Sequence, residues 1–464
     1  MMRGFRWTAA ACLSAASFLA CGQSVDFRQA YAMALSADPT WAQARAQARA
    51  DQEERALGRS GLLPTVQYRY NRGRNWTESR SSNLFGEVTQ DYRYNSYSSG
   101  FTLTQPLFDA AAFAQYREGA ARAEAAGFTL ARARQALAVR VLQVYTDVLY
   151  AEEALGLAEA QARTLHEDAR RSERYVAGGE GTVTDSLEIE ARLGLVQAQE
   201  IEARDQLRDA RNALRAVVGP NLGEAALAPL DARAMAALAG SPQPLAQWRD
   251  IALGSNPELA AQRRLLEAAR QRREAARAGH LPSVRLYARK QLTDSNAENQ
   301  IGQRYDTNTV GVEISVPLYS GGRTSAASAQ ALAQQDVAQH KLEADTRAML
   351  DDLERQYNLL ASSERRIAAY QRAADAATGR LKATRRSVLG GERTNLDVLD
   401  AERQRVEALR DLARARYDNL LAWLTLRWQA GVLEESDVSA VGMLFLAPPS
   451  SVRAASGVSP RSGG

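Results

Sequence analysis

The feature that most limits what this chain can become is that it is written twice. Leu35-Ser-Ala-Asp-Pro39 is answered by Leu253-Gly-Ser-Asn-Pro257, and Gly61-Leu-Leu-Pro64-Thr-Val66 by Gly279-His-Leu-Pro282-Ser-Val284, both 218 residues further on. Gln105-Pro106-Leu107-Phe108 is answered by Val316-Pro317-Leu318-Tyr319 at an offset of 211. Gly178-Gly179-Glu180, Thr182, Asp185 and Leu187 are answered by Gly390-Gly391-Glu392, Thr394, Asp397 and Leu399 at an offset of 212. Four blocks in one order, with small shifts between them, define a tandem duplication of a unit of about 210 residues, far longer than a solenoid repeat. Whatever one half folds into, the other must be able to fold into as well.

Both halves follow one internal grammar. A short helical stretch (about 40–60 and 258–278) ends at a glycine, and Pro64 or Pro282 then opens an alternating segment, Val66-Gln-Tyr68-Arg-Tyr70 or Val284-Arg-Leu286-Tyr. After a polar stretch rich in Asn, Ser, Arg and Thr, a second alternating segment closes the pair: Phe101-Thr-Leu103-Thr, and Val310-Gly-Val312-Glu-Ile314-Ser-Val316. Alternation of period two predicts strands. About 9–11 such residues, apolar on one face only, also suit a strand of a membrane barrel. Tyr68, Tyr70, Trp76, Tyr92, Tyr94 and Tyr97 gather there as interfacial girdle residues would, although two hairpins of a water-exposed sheet carry the same alternation.

After each strand pair the composition turns to Ala, Arg, Glu, Gln and Leu, almost without proline. Leu137, Val141, Val144, Val148, Leu155 and Ala158 recur at spacings of three and four, and Leu142, Tyr145 and Leu149 mark a second apolar face. Leu342, Met349, Leu353 and Leu360, then Val406, Leu409, Ala413, Leu420 and Leu424, repeat the pattern. Such spacing predicts coiled-coil packing with neighbours on two sides. The run from Ala112 to Val176 makes a rod of ~100 Å, more than a globular domain needs. The rods reverse at Gly178-Gly179 and Gly390-Gly391, where glycine past a helix end takes the left-handed conformation at little cost. Thr182 or Thr184, and Thr394 or Asn395, then serve as N-caps.

The expected organisation is therefore a first repeat over 23–240 (strand pair about 64–108, helical hairpin about 112–216, a further segment 217–240) and a second over 241–432 (strand pair about 282–319, hairpin about 323–430). Residues 433–464 read as a partly disordered tail, rich in Pro, Gly and Ser. Residues 1–22 read as a secretory leader: Arg3 and Arg6 precede an apolar run from Trp7 to Ala20, with small residues Ala20 and Gly22 at the cut. That run is too short to span a bilayer, and nothing after Gly22 offers 18 consecutive apolar residues.

Composition removes other classes. The 58 basic and 54 acidic side chains are scattered, so no nucleic-acid-type basic block exists. Cys12 and Cys21, the only two cysteines, lie in the leader, leaving neither a disulfide framework nor a cysteine metal site in the mature chain. Cys21 could carry a lipid, since Leu19-Ala20-Cys21 partly matches a lipobox, but Phe18 stands where leucine is usual. His166, His280 and His340 are far apart and read as solvated or packed side chains. No nucleophile motif, metal cluster or phosphate loop is present, so the chain reads as no enzyme, with no metal and no cofactor.

Four strands cannot close a barrel, which takes at least eight, and an open edge cannot face lipid. If the strands lie in a membrane, the chain must oligomerise. At this point the residues carry a resemblance. Gly391-Glu-Arg393-Thr394-Asn-Leu-Asp397-Val398-Leu399-Asp400-Ala401, then Ala415-Arg416-Tyr417-Asp418, and the opening Ala32-Met-Ala-Leu35 with Asp38-Pro39 and Gly61-Leu-Leu-Pro64, resemble the TolC family of outer-membrane efflux and secretion channels over about 26–432. Phe108 through Tyr116 and Ala120-Ala-Arg-Ala to Tyr145-Thr-Asp147-Val148-Leu149 resemble its type I secretion branch.

The resemblance implies a mainly α fold with a β-barrel part: a homotrimer with a twelve-stranded barrel in the outer membrane of a Gram-negative bacterium, continued by an α-helical tunnel through the periplasm. Segment 217–240 would be its equatorial part. The hairpin turns (Gly178, Gly179, Gly390, Gly391) would form the inner end, closed at rest, where a periplasmic adaptor and an inner-membrane pump dock. Asp397 and Asp400, three residues apart and so on one helix face, would line the pore aperture as two acidic rings whose like charges raise each other's pKa. Read without the family, the same pair is a solvated helix start. Arg393 matches the position that ties the inner hairpin to its neighbour, with Thr184 and Asp185 as its closed-state partners; the family's tyrosine lock is replaced by Val388. The competing reading is a periplasmic coiled-coil adaptor, which usually carries one hairpin rather than two.

Overall fold

The structure is a computed structural model that describes residues 24–84, 86–237, 243–295, 301–390 and 392–445. The leader with Cys21, Gly391 and residues 446–464 lie outside them. Three short helices open the chain, α1 (Phe27–Ala37), α2 (Pro39–Gln52) and α3 (Glu54–Ser60). Strands β1 (Thr65–Asn83) and β2 (Gly86–Phe108) lead into α4 (Ala110–Ala177) and α5 (Val183–Val218). The second round comprises α6 (Leu245–Ser255), α7 (Pro257–Arg277), β3 (Ser283–Asp294), β4 (Arg304–Ser315), α8 (Arg323–Leu389) and α9 (Asn395–Ala430), and α10 (Glu435–Gly442) ends it.

The duplication is visible at single residues. Asp38 caps α2, accepting from Thr40 N at 3.4 Å and Trp41 N at 2.9 Å, with Pro39 at the first helical position. Asn256 caps α7 in the same way, accepting from Glu258 N at 2.8 Å and Leu259 N at 3.3 Å ahead of Pro257. Both caps are buried, and each has a further partner that matches its chemistry. The Asp38 carboxylate pairs with the Arg140 guanidinium, whereas the Asn256 amide donates to Gln429 O at 2.7 Å.

All four strands form one antiparallel sheet in the order β1-β2-β3-β4, so one edge of β1 and one of β4 are unpaired. Paired rows such as Val66–Leu103–Ala288–Val310 share a face, and that face also holds Tyr68, Phe101, Leu286, Val312 and Ile314. Its apolar side chains are bare: Val66 is 65%, Phe101 56%, Val310 76% and Ile314 67% exposed. The opposite face is polar, with rows such as Gln67–Thr102–Arg289–Thr309. The polar stretch between Asn71 and Tyr97 is strand over 71–83 and 86–97, so β1 and β2 run to 19 and 23 residues against 12 each for β3 and β4. Backbone pairing holds register there without any apolar pattern.

The helices form one elongated layer. At 68 and 67 residues, α4 and α8 are each ~100 Å long. The 36-residue returns α5 and α9 run beside the half nearer the turns, while α2 and α3 lie along α4, and α7 lies between α4 and α8. The main core sits where the short helices meet the long ones: Phe27, Leu137, Val141, Leu142, Tyr145, Leu214, Leu420 and Leu424 are almost completely buried. Tyr145 packs edge-on to Phe27 and Phe445 at 6.2 and 5.0 Å, and its hydroxyl donates between the carbonyls of Val25 (2.9 Å) and Ala228 (3.0 Å). Burial pushes that phenol's pKa up. Residues 433–445, expected to belong to a partly disordered tail, instead join this core: Val438 and Val441 of α10 are buried, and Phe445 bridges to Leu230. Short apolar spacing inside a polar sequence concealed that helix.

Candidate functional site

The two hairpin ends are built alike. In the first, Gly178 N donates to Arg174 O at 3.0 Å, Gly179 takes φ +77°, and Glu180 N reaches back to Tyr175 O at 2.9 Å. In the second, Gly390 N donates to Arg386 O at 3.1 Å and Glu392 N to Ser387 O at 3.0 Å, the same closure 212 residues on. The helix caps are Thr182 and Thr394, so of the alternatives read from sequence Thr184 and Asn395 fall inside the first turn of each helix. Thr184 and Asp185 are exposed, and Thr182 Oγ1 accepts from Asp185 N at 3.1 Å.

Each aspartate of the candidate aperture is engaged within its own chain. The Asp397 carboxylate accepts from Thr394 N and Thr394 Oγ1, both at 3.1 Å, with Arg393 at 4.0 Å. These donors, the Thr394 backbone N–H first, hold its pKa below the usual carboxylate range. Asp400 receives Arg192 Nη2 from α5 at 2.8 Å, with Arg403 further off at 4.0 Å. Among the described contacts Arg393 pairs with Asp397, and the structure does not bring Thr184 or Asp185 to it within one chain. Val388 is half-buried near the end of α8.

A second group of ties joins the second hairpin (α8–α9) to the first (α4–α5). Leu399 of α9, which precedes Asp400, packs with Ala162 and Leu165 of α4 and Ile189 of α5. Further up, Tyr417 of α9 donates to Glu153 Oε1 of α4 at 2.6 Å. Within the second hairpin, buried Glu402 takes Arg405 at 2.8 Å and Arg385 at 3.2 Å. Arg192 and Glu153 escaped the sequence reading, because their partners lie 208 and 264 residues away and no local spacing announces them. His166 meets Gln197 at 3.2 Å and His340 stands 3.8 Å from Glu343, both as exposed side chains. Among the described residues no group of three or more His, Cys, Asp or Glu is arranged to hold a metal ion, and no helix is long and apolar enough to cross a membrane.

A sheet with one bare apolar face, joined to rods of ~100 Å that double back on themselves, defines the class: channel proteins that combine a membrane barrel with a helical tunnel. The comparisons agree. The sequence profile of the family described as outer membrane efflux protein matches residues 30–220 and 248–432, one match per repeat. The alkaline protease secretion protein AprF of Pseudomonas aeruginosa is 42% identical over 416 residues, 90% of this chain and 86% of that protein. The outer membrane protein TolC of Vibrio cholerae is 30% identical over 413 residues, 88% and 91% of the two chains. The crystal structure of the outer membrane protein VceC from Vibrio cholerae superimposes with a TM-score of 0.74 at 18% identity, covering 87% of this chain and 96% of that one. This chain belongs to the outer membrane efflux protein family. It is an exit channel in the outer membrane of a Gram-negative cell, and the adaptor reading falls away.

Proposed function

We propose that three copies of the chain join head to tail, so that their sheets close a twelve-stranded barrel and their helices a periplasmic tunnel. The observation that carries this reading is the open sheet. Its bare apolar face belongs in lipid, yet the unpaired edges of β1 and β4 cannot stay there. The helical layer has the same need: Leu57 on α3 (65% exposed) and Val337 on α8 (68%) are apolar surfaces at its two ends. A single head-to-tail join satisfies sheet and helices together.

On this reading the duct is passive: no enzyme, with neither cofactor nor metal. Its hairpin ends, turning at Gly178-Gly179 and Gly390-Gly391, meet a periplasmic adaptor and an inner-membrane pump. AprF, named for alkaline protease secretion, supports a polypeptide cargo and the type I secretion branch. The closed aperture is lined by Asp397 and Asp400. Arg393 ties each inner hairpin to Thr184 and Asp185 of the neighbouring chain, and Arg192–Asp400 ties it to its own outer hairpin. Docking breaks these ties and the inner hairpins swing outward. Fractionation followed by native mass measurement in detergent tests the assembly. A trimer in the outer membrane is expected; a soluble monomer or an inner-membrane species would overturn it.

A further inference from the structure

We propose that the inner wall of the barrel is an anion-selecting exit, in which Arg69, Arg285 and Arg289 of each chain engage acidic segments of a polypeptide in transit. This rests on the trimeric barrel proposed above and adds the chemistry of what passes through it. Once the apolar face is assigned to lipid, the other face is the wall of the lumen, and pairing register places every strand side chain on one or the other.

The charges sort unequally. Arg69 pairs across to Gly100 and then Gln291, Arg289 to Thr102 and Thr309, and Arg285 to Glu313, which puts all four charged residues on the polar face. They are the only charged residues of β1–β4 on that face; every other one shares the opposite side, as Lys290 and Asp306 do at 3.6 Å. The wall therefore carries three cations against one anion in each chain, while the rest of its surface is largely Thr, Ser, Asn, Gln and Tyr.

Placement makes these cations a ring. Arg69 and Arg289 lie in successive rows of β1 and β3, about 7 Å apart along the strands and about 10 Å across, with β2 between them. There β2 contributes only Gly100 and Thr102, so no bulky side chain separates the guanidiniums. Arg285 lies two rows nearer the periplasmic end, opposite Glu313. All three arginines are exposed, and among the described residues none has an ion-pair partner. A closed wall of low dielectric focuses such a field on the lumen. A guanidinium fork matches a carboxylate in two parallel hydrogen bonds, and the neutral hydroxyls and amides between the arginines accept and donate to a peptide backbone. Asp397, by contrast, puts negative charge at the far end of the duct.

The test uses the purified full-length channel in planar lipid bilayers, with poly-L-glutamate added on the barrel side so that it meets the arginines before the hairpin ends. It is expected to block the current, and the triple variant Arg69→Gln, Arg285→Gln, Arg289→Gln to need about tenfold more polymer for the same block. Poly-L-lysine should block the unaltered channel far less. Equal block of both channels by poly-L-glutamate, or block by poly-L-lysine as strong as by poly-L-glutamate, would overturn the arginine wall. Free glutamate blocking as well at equal carboxylate concentration would overturn the polypeptide assignment. Inserted protein that conducts no current even when Arg393→Ser removes the closing tie would overturn the barrel itself, a failure distinct from these.

Discussion

The Arg192–Asp400 pair gives the sharpest quantitative expectation. It joins α5 to α9 at 2.8 Å, with side chains 29% and 38% exposed. A pair that wet contributes about 0.2–1 kcal/mol to whichever state contains it. If the hairpins of a trimer open together, three copies bias closure by about 0.6–3 kcal/mol, roughly 3- to 150-fold in the closed-to-open ratio. Asp400→Asn and Arg192→Gln should therefore each raise open occupancy in single-channel recordings by that factor. Because either change removes the same bond, the double variant should do no more than a single one. The exchange Arg192→Asp with Asp400→Arg should restore closure in part. At 1 M salt, where charges are screened beyond about 3 Å, the differences should shrink. Additive single effects, or conductance that none of these variants alters, would refute the tie between the hairpins.

Other expectations concern the scaffold and the join between chains. Asn256→Asp sets a carboxylate against Gln429 O in place of the donor that now bonds it at 2.7 Å, which should cost about 1–3 kcal/mol in thermal or denaturant unfolding. Burial and the facing carbonyl would raise that carboxyl's folded pKa above its unfolded value. The loss should then be full at neutral pH and shrink as pH falls through the raised pKa; a loss that grew on acidification would contradict it. Gly431→Ala should destabilise by about 3 kcal/mol, since φ is +79° there and an added Cβ would lie 2.4 Å from Asn256 Cα; an unchanged midpoint would count against this packing. Arg393→Ser should raise single-channel conductance of the reconstituted protein, and unchanged conductance would remove Arg393 from the gate.

Much of the architecture is legible in the sequence, because its signals are local and stated twice. Alternation around Val66–Tyr70 and Val284–Leu286 marked the strand pairs, and Gly178-Gly179 marked a reversal. Leu142, Tyr145 and Leu149, read as a second apolar face, are all buried. The rest escaped for physical reasons. From Asn71 to Tyr97 strand pairing is carried by backbone hydrogen bonds in full register, so the polar composition there does not show how far each strand runs. The helix from Glu435 to Gly442 is stabilised by docking onto a distant core rather than by its own propensity. At the hairpin ends, Asp397 and Asp400 stood out in sequence as a pair. Their different roles emerged only when Thr394 was seen to hold one and Arg192, from another helix, the other.

The two halves share a scaffold but have divided its chemistry. At the knee before each second helix the cap and the following proline are common, yet the first half pairs its carboxylate with Arg140 and the second gives its amide to a carbonyl. Neither cap can take the other's place, because a carboxylate at neutral pH cannot donate and an amide cannot neutralise a guanidinium. The strands divide likewise. A tilted strand of about ten residues crosses an outer membrane, so β3 and β4 at 12 residues are nearly used up within it. With 19 and 23 residues, β1 and β2 continue well beyond it. The paired wall ends with the shorter hairpin, and among the described strands only β1 and β2 continue past that level. The three lumenal arginines sit below it, at levels where all four strands are paired. On the proposed barrel, charge selection is thus confined to the part of the wall where all four strands are paired, and the face of the longer hairpin that continues the polar wall carries only uncharged residues.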